Sequence, residues 1–382
     1  MLNNIQLSIN NNVLIWARES LALNLNRASE LTGISSKRLA QLEVGEKQIT
    51  LDELKQFSKS YKRTIATFLL KEPPTEKPLP PDRRTINSKD LGSFHEKSIM
   101  AVRKARALSQ SYIELKNELG IKIPELNIHS SVNDDPLKIA GEIRNILNLN
   151  ELREIKNINI ALEAYIEKVE TLGIAVFQLS LTQDKLRGFT ITDESIPIIG
   201  LKRGGEPATA KIFTLFHELG HVILNQGGLC DLSETTTSNI EKWCNAFSAE
   251  VILPATELLK VEKIQEQMQS GNKIWAKKDL IEIGNSFHAG PLSVLRRLLD
   301  NKLTTKTFYE GRHEAWNKPA FGRSKTPEGR NIAKETIKEK GKTYISLAFL
   351  AYDKNRIDLK DLSDFLGIKL SYISKTRQLM NA

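Results

Sequence analysis

The chain has 382 residues, too many for one ordinary core, so two to four domains are expected. Its 40% hydrophobic and 26% charged content is that of a soluble globular protein, and no apolar run reaches membrane-spanning length. The start, Met1 to Ser20, lacks the basic and apolar regions of a signal peptide, and two cysteines, Cys230 and Cys244, argue against a disulfide framework and for a reducing, cytoplasmic compartment. The net charge of +9 permits nucleic-acid contact, and its excess is concentrated at the end: from Asn301 onward there are 17 Lys/Arg against 9 Asp/Glu.

Val13 to Leu70 reads as five short helices. Within LNLNRASELTGISSKRLAQLE, Asn26 can cap a helix holding Ala28 and Leu31. Thr32-Gly33-Ile34 makes a turn, and Ser35 can cap the next helix, Ser36 to Glu43. Leu51, Leu54, Phe57 and Tyr61 continue at helical spacing. This stretch resembles the XRE-type helix-turn-helix domain of Cro and phage-repressor relatives. The resemblance implies that the second helix enters the major groove of double-stranded DNA, with Ser36, Lys37, Arg38 and Gln41 facing bases or phosphates. The other reading is a helical protein-interaction module.

Lys71 to Arg84 contains five prolines and reads as a semi-rigid extended linker. Asp90 to Leu119 is an amphipathic helix with a stripe at Ile99, Val102, Ala105, Leu108, Tyr112 and Leu115. Asn133 to Leu149 and Glu154 to Leu172 are two more helices. Strands follow at Ile174 to Leu179, Gly188 to Thr192 and Ile196 to Leu201. An edge strand of such a sheet can pair with an added peptide backbone, and the candidates are Ile196 to Leu201 and Gly188 to Ile191. Pro197 favours the first, because proline near a strand start is tolerated mainly at an edge.

FHELGHVIL, Phe216 to Leu224, carries the chemistry. His217 and His221 lie four apart on a helix, so both imidazoles point one way and can bind one metal ion. Glu218 between them lies near without ligating and can take a proton from water. A tetrahedral site needs a third protein ligand. On the following helix, Ser238 to Leu253, Glu241 shares a face with Asn245, Ser248 and Ile252, while Glu250 falls opposite. Glu241 is the first candidate, with Glu250 and Asp231 as alternatives. Asn245 is placed to bond the free ring nitrogen of a ligand histidine.

HELGHVIL followed by IEKWCNAFSAEVILP resembles the ImmA/IrrE family of zinc-dependent peptidases. RGFTI, IPIIGL and PATAKIFTLFHELGH upstream fit as well, so the resemblance covers about 148–303. It implies a gluzincin-type site in which His217, His221 and Glu241 hold Zn²⁺, or Mn²⁺ in its place, and Glu218 is the catalytic base. It also implies a narrow substrate, a repressor or antitoxin-like regulator whose cleavage releases genes under stress.

Leu280 to Leu299 reads as two helices about a tight connection, with His288 a loop residue. Leu359 to Gln378 is a third such unit, in which Gly367-Ile368 matches Gly33-Ile34. Thr304 to Gly341 reads as polar, basic, partly ordered surface. The expected layout is multidomain and mainly α. It comprises a helix-turn-helix domain over 1–70, a linker over 71–89 and a helical connector over 90–150. An α+β zincin-like peptidase domain with a small sheet follows over 151–303, then a basic helical region over 304–382. The expected activity is that of a metalloendopeptidase with no membrane association; a dimer is compatible with the sequence. Two rivals are a regulator or antitoxin whose peptidase-like domain senses metal or a partner without cutting, and a phage-borne or element-borne defence component.

Overall fold

The computed structural model describes residues 6–7, 9–81, 95–181, 186–230, 238–316 and 331–381. The described residues are mostly helical, with a two-stranded and a four-stranded sheet, and the chain divides into two compact units. The first comprises 1–79, 86–104 and 181–184, and the second comprises 80–85, 105–180 and 185–382. No helix among the described residues is long and apolar enough to cross a membrane.

The first unit holds β1 (Gln6–Leu7), α1 (Asn11–Glu19), α2 (Leu25–Thr32), α3 (Ser36–Glu43), β2 (Ile49–Thr50), α4 (Leu51–Tyr61) and α5 (Ile65–Phe68). The five expected helices are present, and a two-stranded antiparallel ribbon of β1 and β2 is added. Caps fix the boundaries. Asn24, not Asn26, caps α2 by accepting from Arg27 N–H, while Asn26 lies inside the helix and accepts from Ser36 Oγ. Gly33 ends α2 in the left-handed region at φ 72°, where a side chain would be strained, and Ser35 caps α3. Thr50 and Glu53 form a reciprocal capping box on α4. Leu14, Leu21, Leu39, Leu54, Phe57 and Phe68 form the core of this unit. The proline-rich segment is free of helix and strand through residue 81, and 82–89 lie outside the described residues.

α6 (Glu96–Glu118) carries the expected buried stripe, and the division between units falls within it; residues 90–94 of the expected helix lie outside the described residues. α7 (Pro136–Ile146), a 3-10 turn at Leu149–Glu154 and α8 (Ile158–Glu170) lead into the sheet. Its strands are β3 (Ala175–Leu179), β4 (Gly188–Ile191), β5 (Ile198–Lys202) and β6 (Gly228–Cys230), in the order β3-β5-β4-β6. β3 and β5 run parallel, and the other pairings are antiparallel. Strands with sequences AVFQL, GFTI and IIGLK are apolar on both faces because both faces are covered. Val176, Ile199 and Leu201 face the core built around α9 (Ala208–Ile223). On the other face Phe177 meets Tyr344 edge to face at 6.3 Å.

This order corrects the expected substrate edge. β5 lies between β3 and β4, and β4 lies between β5 and β6, so both candidates are internal. Pro197 precedes β5, and its carbonyl accepts from Ala175 N–H at 2.9 Å. A proline there costs the sheet no donor, because the contact uses only its acceptor. The edges are β3 and β6.

α10 (Asn239–Ile252) packs along α9 and α7. Beyond it come α11 (Ala255–Leu258), α12 (Glu262–Ser270), α13 (Lys277–Ser286), α14 (Pro291–Asp300) and α15 (Lys306–Trp316), and then α16 (Ile332–Lys340), α17 (Lys342–Asp353), α18 (Leu359–Leu366) and α19 (Ile373–Met380). The stretch expected to be partly ordered surface therefore contains α15 and α16, with 317–330 outside the described residues. α16 packs against β3, so the C-terminal helices cover the back of the sheet.

Candidate metal centre

α9 starts after Pro207 and ends at Leu224, with Asn225 at φ 50° turning the chain. His217, Glu218 and His221 are fully buried on it. α10 begins after Ser238, which puts Glu241 in its first turn, 3% exposed. The two helices approach closely because position 220 lacks a side chain: a Cβ there would lie 3.1 Å from Cys244 Sγ and 3.3 Å from Phe247 Cδ1. The motif thus uses Gly220 to bring the second helix to the histidines.

Three donor groups converge. His217 Nε2 lies 3.1 Å from Glu241 Oε2, His221 Nε2 lies 3.3 Å from Glu241 Oε1, and the two Nε2 atoms are 3.2 Å apart. Donors about 2.0–2.2 Å from a tetrahedral ion lie about 3.3–3.6 Å from one another, so this triangle is close to one face of such a tetrahedron. Burial pushes the Glu241 carboxyl up, but hydrogen bonding to His217 and then His221, with their charge, holds it well below the usual carboxylate range. It is therefore an anion aimed at two imidazole nitrogens, the donor set of a divalent cation. His217 Nδ1 has no hydrogen-bond partner among the described residues. Two imidazoles and a buried carboxylate in this arrangement fit a metal ion.

Glu218 is held from the sheet. Thr190 Oγ1 on β4 donates to Glu218 Oε2 at 2.6 Å and lies 3.1 Å from the Glu218 carbonyl oxygen. One pleat away, a Cβ at Gly188 would lie 2.5 Å from Glu218 Oε1 and 2.8 Å from Thr214 Cγ2. The strand thus supplies a hydroxyl at one position and vacant space at the other. Neither Thr190 nor Gly188 was among the expected site residues. The signal was their alternation on one face of a strand, which is informative only once that strand is known to lie beneath α9.

The alternatives for the third ligand resolve differently. Glu250 is ion-paired with Arg297, whose Nε also donates to the Leu253 carbonyl at 3.0 Å. It is a structural anion, directed away from the histidines as its opposite helical face requires. Asp231 lies outside the described residues. Asn245 is half-buried and makes no hydrogen bond to either histidine ring among the described residues. His288 is buried in a tight turn at φ 55°, held by Tyr165 Oη at 3.2 Å and the Ile155 carbonyl at 2.8 Å, and takes no part in the site.

The four residues expected to meet DNA lie on α3, in the first unit. Lys37 is exposed, while Gln41 and Ser36 are half-buried. Arg38 is committed elsewhere: its Nε and Nη2 donate to the two Glu53 carboxylate oxygens at 2.8 and 3.0 Å, and Nη2 also donates to the Gln48 carbonyl. It buttresses the start of α4.

Two buried imidazoles one helical turn apart and a carboxylate from the next helix form a cluster that could hold a metal ion, with a glutamate beside it. Residues 169–298 match the peptidase M78 family model, described as an IrrE N-terminal-like domain. That span contains the sheet, α9, α10 and every member of the triad, and it supports an ImmA/IrrE-type metallopeptidase. No curated protein and no solved structure matched the chain.

Proposed function

We propose that the chain is a zinc-dependent endopeptidase that regulates gene expression by cutting one specific repressor or antitoxin-like protein inside the cell. The observation that carries this reading is the triangle of His217, His221 and Glu241 with the Glu218 carboxylate beside it. When bound, a divalent ion in this triangle supplies Lewis acidity and lowers the pKa of a water toward neutrality. The remaining work belongs to the chain. His217 and His221 present neutral imidazole nitrogens, and Glu241 supplies the compensating negative charge in a buried setting. Glu218 takes the proton of the attacking water and returns it to the leaving amine. Thr190 donates to one Glu218 oxygen and so sets the orientation of the carboxylate. Zinc is the first choice for two nitrogens and one oxygen, with manganese an alternative.

The helices α2 and α3, with Gly33 between them, support a helix-turn-helix reading of the first unit. On this reading Lys37, Ser36 and Gln41 are the residues left to contact double-stranded DNA.

The rival is a regulator that binds metal or a partner without cutting. One observation favours it: β4, the strand that holds Glu218, is paired on both sides, so a substrate strand cannot add directly beside it. Incubating the metal-loaded protein with candidate repressor or antitoxin-like regulators, with and without chelator, separates the two. A single chelator-sensitive cut supports the peptidase; an intact regulator in a stable complex supports the rival.

A further inference from the structure

The C-terminal helices repeat the local architecture of α2 and α3. With Gly367 set against Gly33, the buried positions coincide: Leu362 with Ala28, Leu366 with Thr32, Ile368 with Ile34, Ile373 with Leu39 and Thr376 with Leu42. Both glycines are left-handed, at φ 63° and φ 72°, and both first helices are 8 residues long with a side-chain cap. In both places the turn leads into a second helical segment, which at the C-terminus opens with a 3-10 turn, Leu370–Tyr372, against α18 and continues as α19, packed on α16 and α17. A short helix, a turn and a second helical segment is the plan by which proteins lay a helix in the major groove.

The outward faces differ. α3 ends in Glu43, which is bound to Arg18, and its Arg38 is held by Glu53. From Lys369 to Met380 there is no acidic residue. Lys369, Ser371, Ser374, Lys375 and Gln378 are all exposed along this segment. Lys369 and Lys375 make no ion pair among the described residues; Lys375 Nζ donates only to Gln378 Oε1, at 3.2 Å. The one basic residue that is paired, Arg377, lies behind this face against Asp353 and over the Phe349 ring. In the loop before α18, Lys354 and Arg356 are also exposed and without ion pairs among the described residues. A face with unpaired ammonium groups, hydroxyls and an amide, and without carboxylates, matches the phosphate edges and base edges of a duplex.

We infer that α19 and the turn before it form a contact surface for double-stranded DNA, with α19 as the helix that faces the groove and Lys369 and Lys375 on phosphates. It uses no residue of the metal cluster or of α3. The test uses the full chain and a labelled random-sequence duplex, titrated over a salt series. Losing two phosphate contacts lowers the slope of log affinity against log salt by about 1.8. Lys369→Ala with Lys375→Ala should show that loss, and Lys369→Arg with Lys375→Arg should restore the slope. Lys278→Ala with Lys306→Ala removes two exposed charges elsewhere and should leave the slope unchanged. The inference is overturned if the first pair leaves affinity and slope unchanged, if the control pair lowers the slope equally, or if the wild-type chain binds no duplex.

Discussion

The Thr190 hydroxyl donates to Glu218 Oε2 at 2.6 Å, from a strand 28 residues earlier in the chain. Both groups are fully buried, so no water competes for the bond. Thr190→Val keeps the shape and removes this donor from the Glu218 carboxylate, loosening its orientation. Metal content should be unchanged while cleavage slows about 10²-fold, the scale of a misplaced catalytic group. Thr190→Ser should recover most of the rate. Measuring metal content and cleavage rate on all three proteins checks this, and metal loss in Thr190→Val would place the residue in the metal site instead.

The two small residues of the site should fail in different ways. Gly188→Ala puts a methyl group against Glu218 Oε1, so it should spare metal and remove cleavage. Gly220→Ala presses on Cys244 and Phe247 of α10, which carries Glu241. It should lower metal affinity, because the third donor moves from the histidines. Metal titration of the two variants reads the difference directly.

Glu241 and Glu250 sit on one helix and should separate just as cleanly. Glu241→Gln should weaken metal binding, since a neutral amide is a poorer ligand than a carboxylate. Glu250→Gln should bind metal normally but melt earlier, because Arg297 is left largely buried beside an uncharged partner. Breaking such a pair costs about 3 kcal/mol. Parallel melts and metal titrations test both halves.

Glu170 gives a pH signature. Burial pushes its carboxyl up to about 8; Thr343 Oγ1 donates to it at 2.5 Å, which offsets this only in part. The folded chain keeps a proton that the unfolded chain releases near 4.5, the ordinary glutamate value. Stability therefore falls as pH rises between those values, by about 1.4 kcal/mol per pH unit for this group, and levels off above the folded value. Glu170→Gln should melt higher than wild type at neutral pH and lose that part of the slope. Melting curves from acid to mildly alkaline pH decide it.

The histidine motif and Glu241 were legible in the sequence because helix periodicity is local: spacing alone placed His217 and His221 on one face and separated Glu241 from Glu250. Gly188 and Thr190 were not legible as parts of the site, because their role depends on β4 lying under α9. The substrate edge was misread for a related reason. Pro197 suggested an edge strand, but its carbonyl is the group that pairs, and only the partner's position reveals that. The three-residue strand β6 has too few positions to display alternation. Arg38 looked free on α3 because its partner, Glu53, comes from the next helix. The match between Gly33-Ile34 and Gly367-Ile368 was visible in the chain, and its depth emerged once the buried positions could be compared.

The most direct measurement is a cleavage time course with a candidate repressor or antitoxin-like regulator, comparing wild type and Glu218→Gln at equal metal content. Glutamine fills the same volume and still hydrogen-bonds water, but accepts no proton at neutral pH, and losing a general base costs about 10²–10⁴ in rate. Wild type should cut the regulator once, while Glu218→Gln should hold the metal and the regulator and leave it intact. Equal cleavage by both, or an unchanged biological output from Glu218→Gln, would contradict the peptidase reading and leave the non-cutting regulator in its place.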